Sequence, residues 1–210
     1  MNGVVKTVLV LTLIAFFAGL SLGLVYGLTA KSDSLPDKKT LVKLVEASDY
    51  KELKLNGETK LEFGTIKCVC VPVDNNGVPI ADSVIFLSDG NGGFDGAVSM
   101  LVYIKNAKVE NIICYENSET PGVGSNALTD KYLKRYIGQD VSSDFELKNS
   151  GGDYWSKPVK QSGHEDDASQ IEGYTGATRT STAVVNALSA IHTYYVNNLS
   201  DLTEQINELK

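Results

Sequence analysis

The apolar residues of this chain follow different rhythms along its length. From Val8 to Leu28 they are continuous, VLVLTLIAFFAGLSLGLVYGL, with no charge. At 1.5 Å per residue such a run of about 21 residues reaches roughly 30 Å, the thickness of a bilayer's hydrocarbon core. Lys6 and Lys31 bracket it, and Tyr26 falls where an interfacial aromatic belongs. A cleaved signal sequence has an apolar stretch of roughly 7–15 residues ending at a small-residue site. This run is longer and no good site precedes Lys31, so a membrane anchor is the preferred reading over a signal sequence. Lys31, Lys38, Lys39 and Lys43 on its C-terminal side do not favour export of the rest of the chain. Long domains cross largely regardless of charge, however, so lysine counting does not decide the orientation.

Ser32 to Lys39 is polar and contains Pro36, which suits a stalk. Leu41, Val42, Leu44 and Val45 then predict a short amphipathic helix over Thr40 to Ser48. The middle of the chain reads as strands: Thr65–Val73, Ser83–Leu87, Ala97–Ile104 and Val109–Tyr115. Lys105-Asn106-Ala107-Lys108 suits a hairpin loop, so the last two are expected to be antiparallel neighbours. Asp130 to Ile137 reads as a short helix with Thr129 as its cap. Gly138 to Ile171 is polar and glycine-rich, and its acidic run Glu165-Asp166-Asp167 reads as solvated loop, since calcium-loop spacing is missing. Val184, Leu188, Ile191 and Tyr195 then mark one face of a helix, read as core packing. Asn197 and Asn198 are expected to break it, with a second short helix over Asp201 to Leu209.

Composition narrows the classes. The 42% hydrophobic share supports a packed core, and 210 residues suffice for one anchor and one ordinary domain. A net charge of −7 argues against nucleic acid as a partner, because phosphate backbones need a basic face. His164 and His192 stand far apart, and no metal-ligand spacing appears, so no metal site is expected. Gly90, Gly92, Gly93 and Gly96 do not form a dinucleotide fingerprint opening a helix. Cys68 and Cys70 alternate along one strand and Cys114 lies on another. A Cys68–Cys70 bridge would be strained. Buried free thiols are the preferred state, with a disulfide involving Cys114 or an iron–sulfur role as the alternatives.

The chemistry-bearing segment is Glu172-Gly173-Tyr174-Thr175-Gly176-Ala177-Thr178-Arg179-Thr180-Ser181. It is a glycine-bearing loop running into a helix, and Thr178, Thr180 and Ser181 are candidate N-caps. A helix start exposes unpaired N–H groups and a partial positive charge, which favours a phosphate. Gly176 and Ala177 keep bulk away from a ligand. By itself this pattern is also that of ordinary helix capping.

The string Thr175-Gly176-Ala177-Thr178, followed by Thr180-Ser181 and a small-residue helix, resembles the flavinylation motif of the FMN-binding domain family. Glu119-Thr120-Pro121-Gly122-Val123-Gly124 resembles that family's E-T-P-G-[LV]-G loop, and Gly93-Phe94-Asp95-Gly96 its glycine-rich lead-in. With the anchor, the order of features is similar to the G-type subunit of Rnf electron-transport complexes and to the C-type subunit of sodium-pumping NADH:quinone oxidoreductases, and the modest length favours the former. The resemblance implies FMN esterified through its phosphate to Thr178 by a separate flavin transferase. It implies a cofactor surround of Thr175, Gly176, Ala177, Thr180, Glu119, Thr120, Gly122, Val123 and Gly124, with the 119–124 loop against the isoalloxazine. The family usually has Asp six residues before the acceptor threonine; Glu172 stands there in this chain.

The fold expected is α+β: an anchor over 1–31, a stalk and short helix over 32–48, and an extracytoplasmic FMN-binding domain over 49–210, built as a mostly antiparallel sheet with flanking helices. The resemblance implies an electron carrier of a cell-membrane complex coupling ferredoxin oxidation and NAD⁺ reduction to Na⁺ or H⁺ transport. Integral membrane and iron–sulfur subunits would be its partners, and this chain would have no catalytic residue or substrate site of its own. Rival classes are a free-standing flavinylated surface protein and an anchored binding domain without flavin.

Overall fold

A computed structural model describes residues 3–29, 35–148 and 169–210. The expectations for Lys31, for residues 32–34 of the stalk and for the acidic run Glu165–Asp167 lie outside the described residues. The chain divides into two compact units, Met1–Ser34 and Leu35–Lys210.

The described part of the N-terminal unit is one helix, α1 (Gly3–Thr29). Its span Val5–Val25 is long and apolar enough to cross a bilayer, and its side chains there are exposed. Hydroxyls within it are satisfied by the helix itself. Thr7 Oγ1 donates to the Gly3 carbonyl at 3.1 Å and Thr12 Oγ1 to that of Val8 at 2.9 Å. Internal satisfaction of this kind is what a lipid environment demands of polar groups.

The second unit is α+β. Its five-stranded sheet is a simple antiparallel meander: β1 (Asp49–Leu53), β2 (Gly64–Val73), β3 (Ser83–Gly93), β4 (Gly96–Lys105) and β5 (Lys108–Glu116). The strands run slightly beyond the apolar runs that predict them. The Lys105–Lys108 hairpin closes through Asn106 and Ala107, both at positive φ, as a right-twisted two-residue turn requires. β1 carries Asp49, Lys51 and Glu52 among five residues, so its apolar pattern is too short to read; pairing with β2 makes it a strand.

Both faces of the sheet are covered. On one lies α4 (Thr178–Glu208), over Val69, Val71, Phe86, Met100 and Val102. On the other lies α2 (Lys38–Leu44), whose Leu41 and Leu44 pack on Cys68, Cys70, Leu87 and Leu101. α2 begins two residues before the expected Thr40, because Asp37 caps it and accepts from the Thr40 N–H at 3.2 Å. That contact and the Thr40 hydroxyl hold the Asp37 carboxyl below its usual range. The faces do not follow strict alternation along β2. The register shifts between Ile66 and Cys68, and this bulge puts Ile66 on the α4 side while Cys68 and Cys70 face α2. Cys114 packs on the α4 side. All three cysteines are free thiols, and the sheet separates Cys114 from the other two. The hydrogen bond that the Cys70 thiol gives to the Cys68 sulfur, together with burial, pushes Cys70 far up, and burial pushes up Cys114. A thiol held in the protonated form is a poor nucleophile.

α4 is the organising helix. It is amphipathic, and its break falls at Asn198 (φ −120, ψ 16), where the side-chain amide donates to the Tyr194 carbonyl. The break matches the expected site, although the two helical parts remain continuous. Beyond it, Gln205 bonds both the N–H and the carbonyl of Lys54, tying down the end of β1. Before it, α4 approaches β3 through small residues. Ser88 Oγ donates to the Ala187 carbonyl at 3.1 Å, and a Cβ on Gly90 would lie 1.8 Å from the Ala183 oxygen. His192 spans from Val141 O to Asp144 Oδ1, at 2.9 and 3.0 Å, fastening the segment before β6.

Two further features differ from expectation. The 130–137 helix is four residues, α3 (Asp130–Leu133), followed by a 3-10 turn to Tyr136. Thr129 precedes it, but its hydroxyl donates to the Asn126 carbonyl instead of capping. β6 (Phe145–Lys148) and β7 (Ser169–Glu172) form a short parallel pair within a stretch read as loop, a pairing of segments too short to show a period.

The Gly90 contact has a direct test. Gly90→Ala drives a methyl into α4 backbone, and overpacking of that kind costs about 1–3 kcal/mol or more. Thermal unfolding of the full chain in detergent should show a clearly lower midpoint than for Ser88→Ala, which loses one hydrogen bond of about 1 kcal/mol. A Gly90→Ala midpoint at or above that of Ser88→Ala would contradict the close seating of α4.

Candidate functional site

The loop before α4 is a β-turn: Ala177 N–H donates to the Tyr174 carbonyl at 2.9 Å, with Gly176 at φ +85 in the third position. Only glycine adopts that φ without strain, which accounts for its place in the Thr-Gly-Ala-Thr string. Ser181 braces the turn. Its hydroxyl accepts from Tyr174 N–H at 2.9 Å and donates to the Ala177 carbonyl at 3.0 Å.

The structure corrects the expected capping by Thr178, Thr180 or Ser181. Ala177 occupies the N-cap position, Thr178 is the first helical residue, and no side chain caps the start. Ser181 is engaged by the turn and Thr180 by a carboxylate, so neither reaches back to the helix start. Among the described residues, no side chain takes up the N–H groups that open α4.

The carboxylate is Glu119, 7% exposed. Its Oε1 accepts from the Phe94 N–H at 2.7 Å, and its Oε2 from the Thr180 hydroxyl at 2.7 Å. One side chain thus joins the β3–β4 hairpin tip, the 119–124 loop and the start of α4. Glycines make room for it. A Cβ on Gly93 would lie 2.6 Å from Oε1, and one on Gly124 only 2.3 Å from Oε2. The loop itself is closed by Val123 N–H to Thr120 O at 3.1 Å and Gly122 N–H to Ser125 Oγ at 2.9 Å, with Gly122 at φ +76. It leads into a 3-10 turn over Gly124–Leu128.

These elements surround a cavity of about 370 Å³, within the range of small-molecule and cofactor sites. Of the residues implicated by sequence, Glu119, Thr120, Val123, Gly124, Gly176, Ala177, Thr178 and Thr180 line it. Thr175 and Gly122 belong to the same two loops but are exposed outside the lining. Two lining residues had no role from sequence: Phe94, 66% exposed, and Arg179. Gly93-Phe94-Asp95-Gly96 is the hairpin tip, and the Arg179 guanidinium carbon lies 5.6 Å from the Phe94 ring centroid. The only forewarning of Arg179 was a lone cation in a motif of small and hydroxyl residues.

The donors suit a phosphorylated aromatic ligand. Arg179 Nε is buried without a hydrogen-bond partner among the described residues, α4 starts uncapped, and an exposed aromatic ring borders the space. Anions favour such a start, and planar aromatic ligands favour such a ring.

Residues 93–192 match the family model of the FMN-binding domain. The matched segment contains the hairpin tip, the 119–124 loop, the turn and the first part of α4. The chain is also similar to the solved structure of Shewanella oneidensis NqrC, with 16% identity and a TM-score of 0.43 over 80% of this chain and 78% of that one. No curated protein matches the sequence.

The clamp predicts a stability effect. Glu119→Gln keeps the shape but has one acceptor oxygen for two donors, and its amide must face one of them. A buried donor left unsatisfied costs about 1–3 kcal/mol. Urea unfolding of the full chain should show a lower midpoint at an unchanged slope. A midpoint equal to that of the parent chain would remove the clamp.

Proposed function

We propose that Thr178 carries FMN as a phosphodiester and that the chain is an electron-carrier subunit of a membrane-bound, ion-translocating oxidoreductase of the Rnf type. The carrying observation is the position of Thr178: the first residue of an uncapped helix, half-buried in the wall of a cavity whose lining lies within the segment that matches the FMN-binding domain model. In the attachment reaction a separate transferase would break the pyrophosphate of FAD. The Thr178 hydroxyl oxygen would bond to the FMN phosphorus, AMP would leave, and the hydroxyl proton would pass to the transferase or solvent.

FMN supplies reversible electron uptake, and the chain's task is to hold it and set its surroundings. Thr178 would fix the phosphate. Gly176 and Ala177 keep side-chain bulk away from the turn, and Thr180 and Glu119 hold the helix start to the 119–124 loop. Thr120, Val123 and Gly124 would form the opposite wall, with Thr175 and Gly122 at its outer margin. Electron donor and acceptor sites would come from integral membrane and iron–sulfur subunits, reached because α1 anchors the chain in the membrane. Ferredoxin oxidation, NAD⁺ reduction and Na⁺ or H⁺ transport would then belong to the assembly. Co-purification of those subunits with the tagged chain supports this reading; a chain that purifies alone, loaded with flavin, supports a free-standing surface carrier instead.

Attachment is tested by flavin fluorescence in denaturing gels of cells that express the transferase. Thr178→Ala should lose the signal entirely, whereas Thr175→Ala should retain at least part of it. A fluorescent band that survives Thr178→Ala would refute Thr178 as the acceptor.

The domain is proposed to lie on the outer side of the cell membrane, where the family's transferase acts. Protease added to intact cells should therefore remove it. Protection until the membrane is broken would reverse the assignment.

A further inference from the structure

We infer that Arg179 is the phosphate-binding side chain of this site, its guanidinium pairing with the anionic phosphodiester on the neighbouring Thr178. The inference rests on the proposed attachment at Thr178 and names a residue that the motif itself does not. Three observations carry it. Arg179 lines the same cavity as Thr178. Its Nε is buried yet has no hydrogen-bond partner among the described residues, although leaving a buried donor orphaned is costly. And its guanidinium lies 5.6 Å from the Phe94 ring centroid, a contact that restrains a planar cation without using its in-plane donors.

The local charges leave that cation available. Glu119 is the carboxylate in the cavity wall, and its two oxygens are taken by Phe94 N–H and the Thr180 hydroxyl. Among the described residues Arg179 has no ion pair; its guanidinium lies against the Phe94 ring.

The choice of phosphate over the flavin ring follows from the tether. A phosphorus bonded to the Thr178 oxygen is confined next to that side chain, whichever way the ribityl chain carries the ring. The phosphodiester keeps one negative charge, and guanidinium–phosphate pairing is directional and charge-assisted. The N–H groups opening α4 would share the same oxygens. Arg179 would thereby satisfy its own orphaned donor and hold the attachment point still, fixing the root of the flavin against the Phe94 side of the cavity.

The test is ³¹P NMR of the full chain, loaded with flavin and held in a phosphorus-free detergent, with loading verified by intact mass. In the parent chain the phosphodiester resonance should lie well away from its position in the denatured chain. Arg179→Gln should move it towards the denatured position, and Arg179→Lys should fall between. A resonance unmoved by Arg179→Gln in a folded, loaded chain overturns the inference while leaving attachment at Thr178 intact. A second measurement needs no change at Arg179. Phenylglyoxal should modify Arg179 several-fold more slowly in the loaded chain than in Thr178→Ala, as read by peptide mass; equal rates overturn the pairing. A parent chain with no flavin in cells that express the transferase refutes the attachment, and the inference falls with it.

Discussion

The buried carboxylate of Glu119 is the contact on which the site depends. Burying a charge is costly unless its hydrogen bonds are supplied, and here a backbone N–H and a hydroxyl supply them from opposite sides. Phe94 and Thr180 are remote in sequence, so the carboxylate fixes a hairpin tip, a loop and a helix start to one another. The arrangement works only because Gly93 and Gly124 leave no Cβ in its way. It also has a chemical consequence. By drawing off the Thr180 hydroxyl, Glu119 removes one candidate for capping α4, and Ser181 is removed by its bond to Tyr174. The helix start then borders the cavity with N–H groups that no side chain caps among the described residues, beside Thr178.

That geometry is possible because α4 sits unusually close to the sheet. Gly90 and Ser88 on β3 meet Ala183 and Ala187 on α4, so at this point the helix backbone comes within direct reach of the strand. Close seating lets the first turn reach the level of the β3–β4 hairpin, where Phe94 and Glu119 meet it. The other face of the sheet, closed by α2, holds Cys68 and Cys70 buried, and burial and hydrogen bonding suppress the Cys70 thiolate.

Much of this was legible in the sequence. The long apolar run, the central strands of the meander, the Lys105–Lys108 hairpin and the break at Asn198 all follow from period, length and turn chemistry. The motif residues converged on one cavity, apart from the exposed Thr175 and Gly122. What escaped the reading depends on contacts remote in sequence. β1 becomes a strand by pairing with β2, and β6 and β7 by pairing with each other. The bulge between Ile66 and Cys68 reverses a face without any change of composition. Thr178, Thr180 and Ser181 are good N-caps by residue type, but the competing partners Glu119 and Tyr174 are invisible to local propensity. Phe94 and Arg179 entered the site for the same reason: a hairpin tip and a helix start brought together by a carboxylate between them.

The central claim is that Thr178 carries the flavin, and peptide mapping by tandem mass spectrometry tests it most directly. The chain should be purified from cells that express the transferase and digested without removing phosphate esters. The peptide spanning the 174–181 segment should then carry an FMN phosphodiester, and fragmentation should localise it to Thr178. An unmodified peptide, or a flavin localised to Thr175 or Thr180, would contradict the claim.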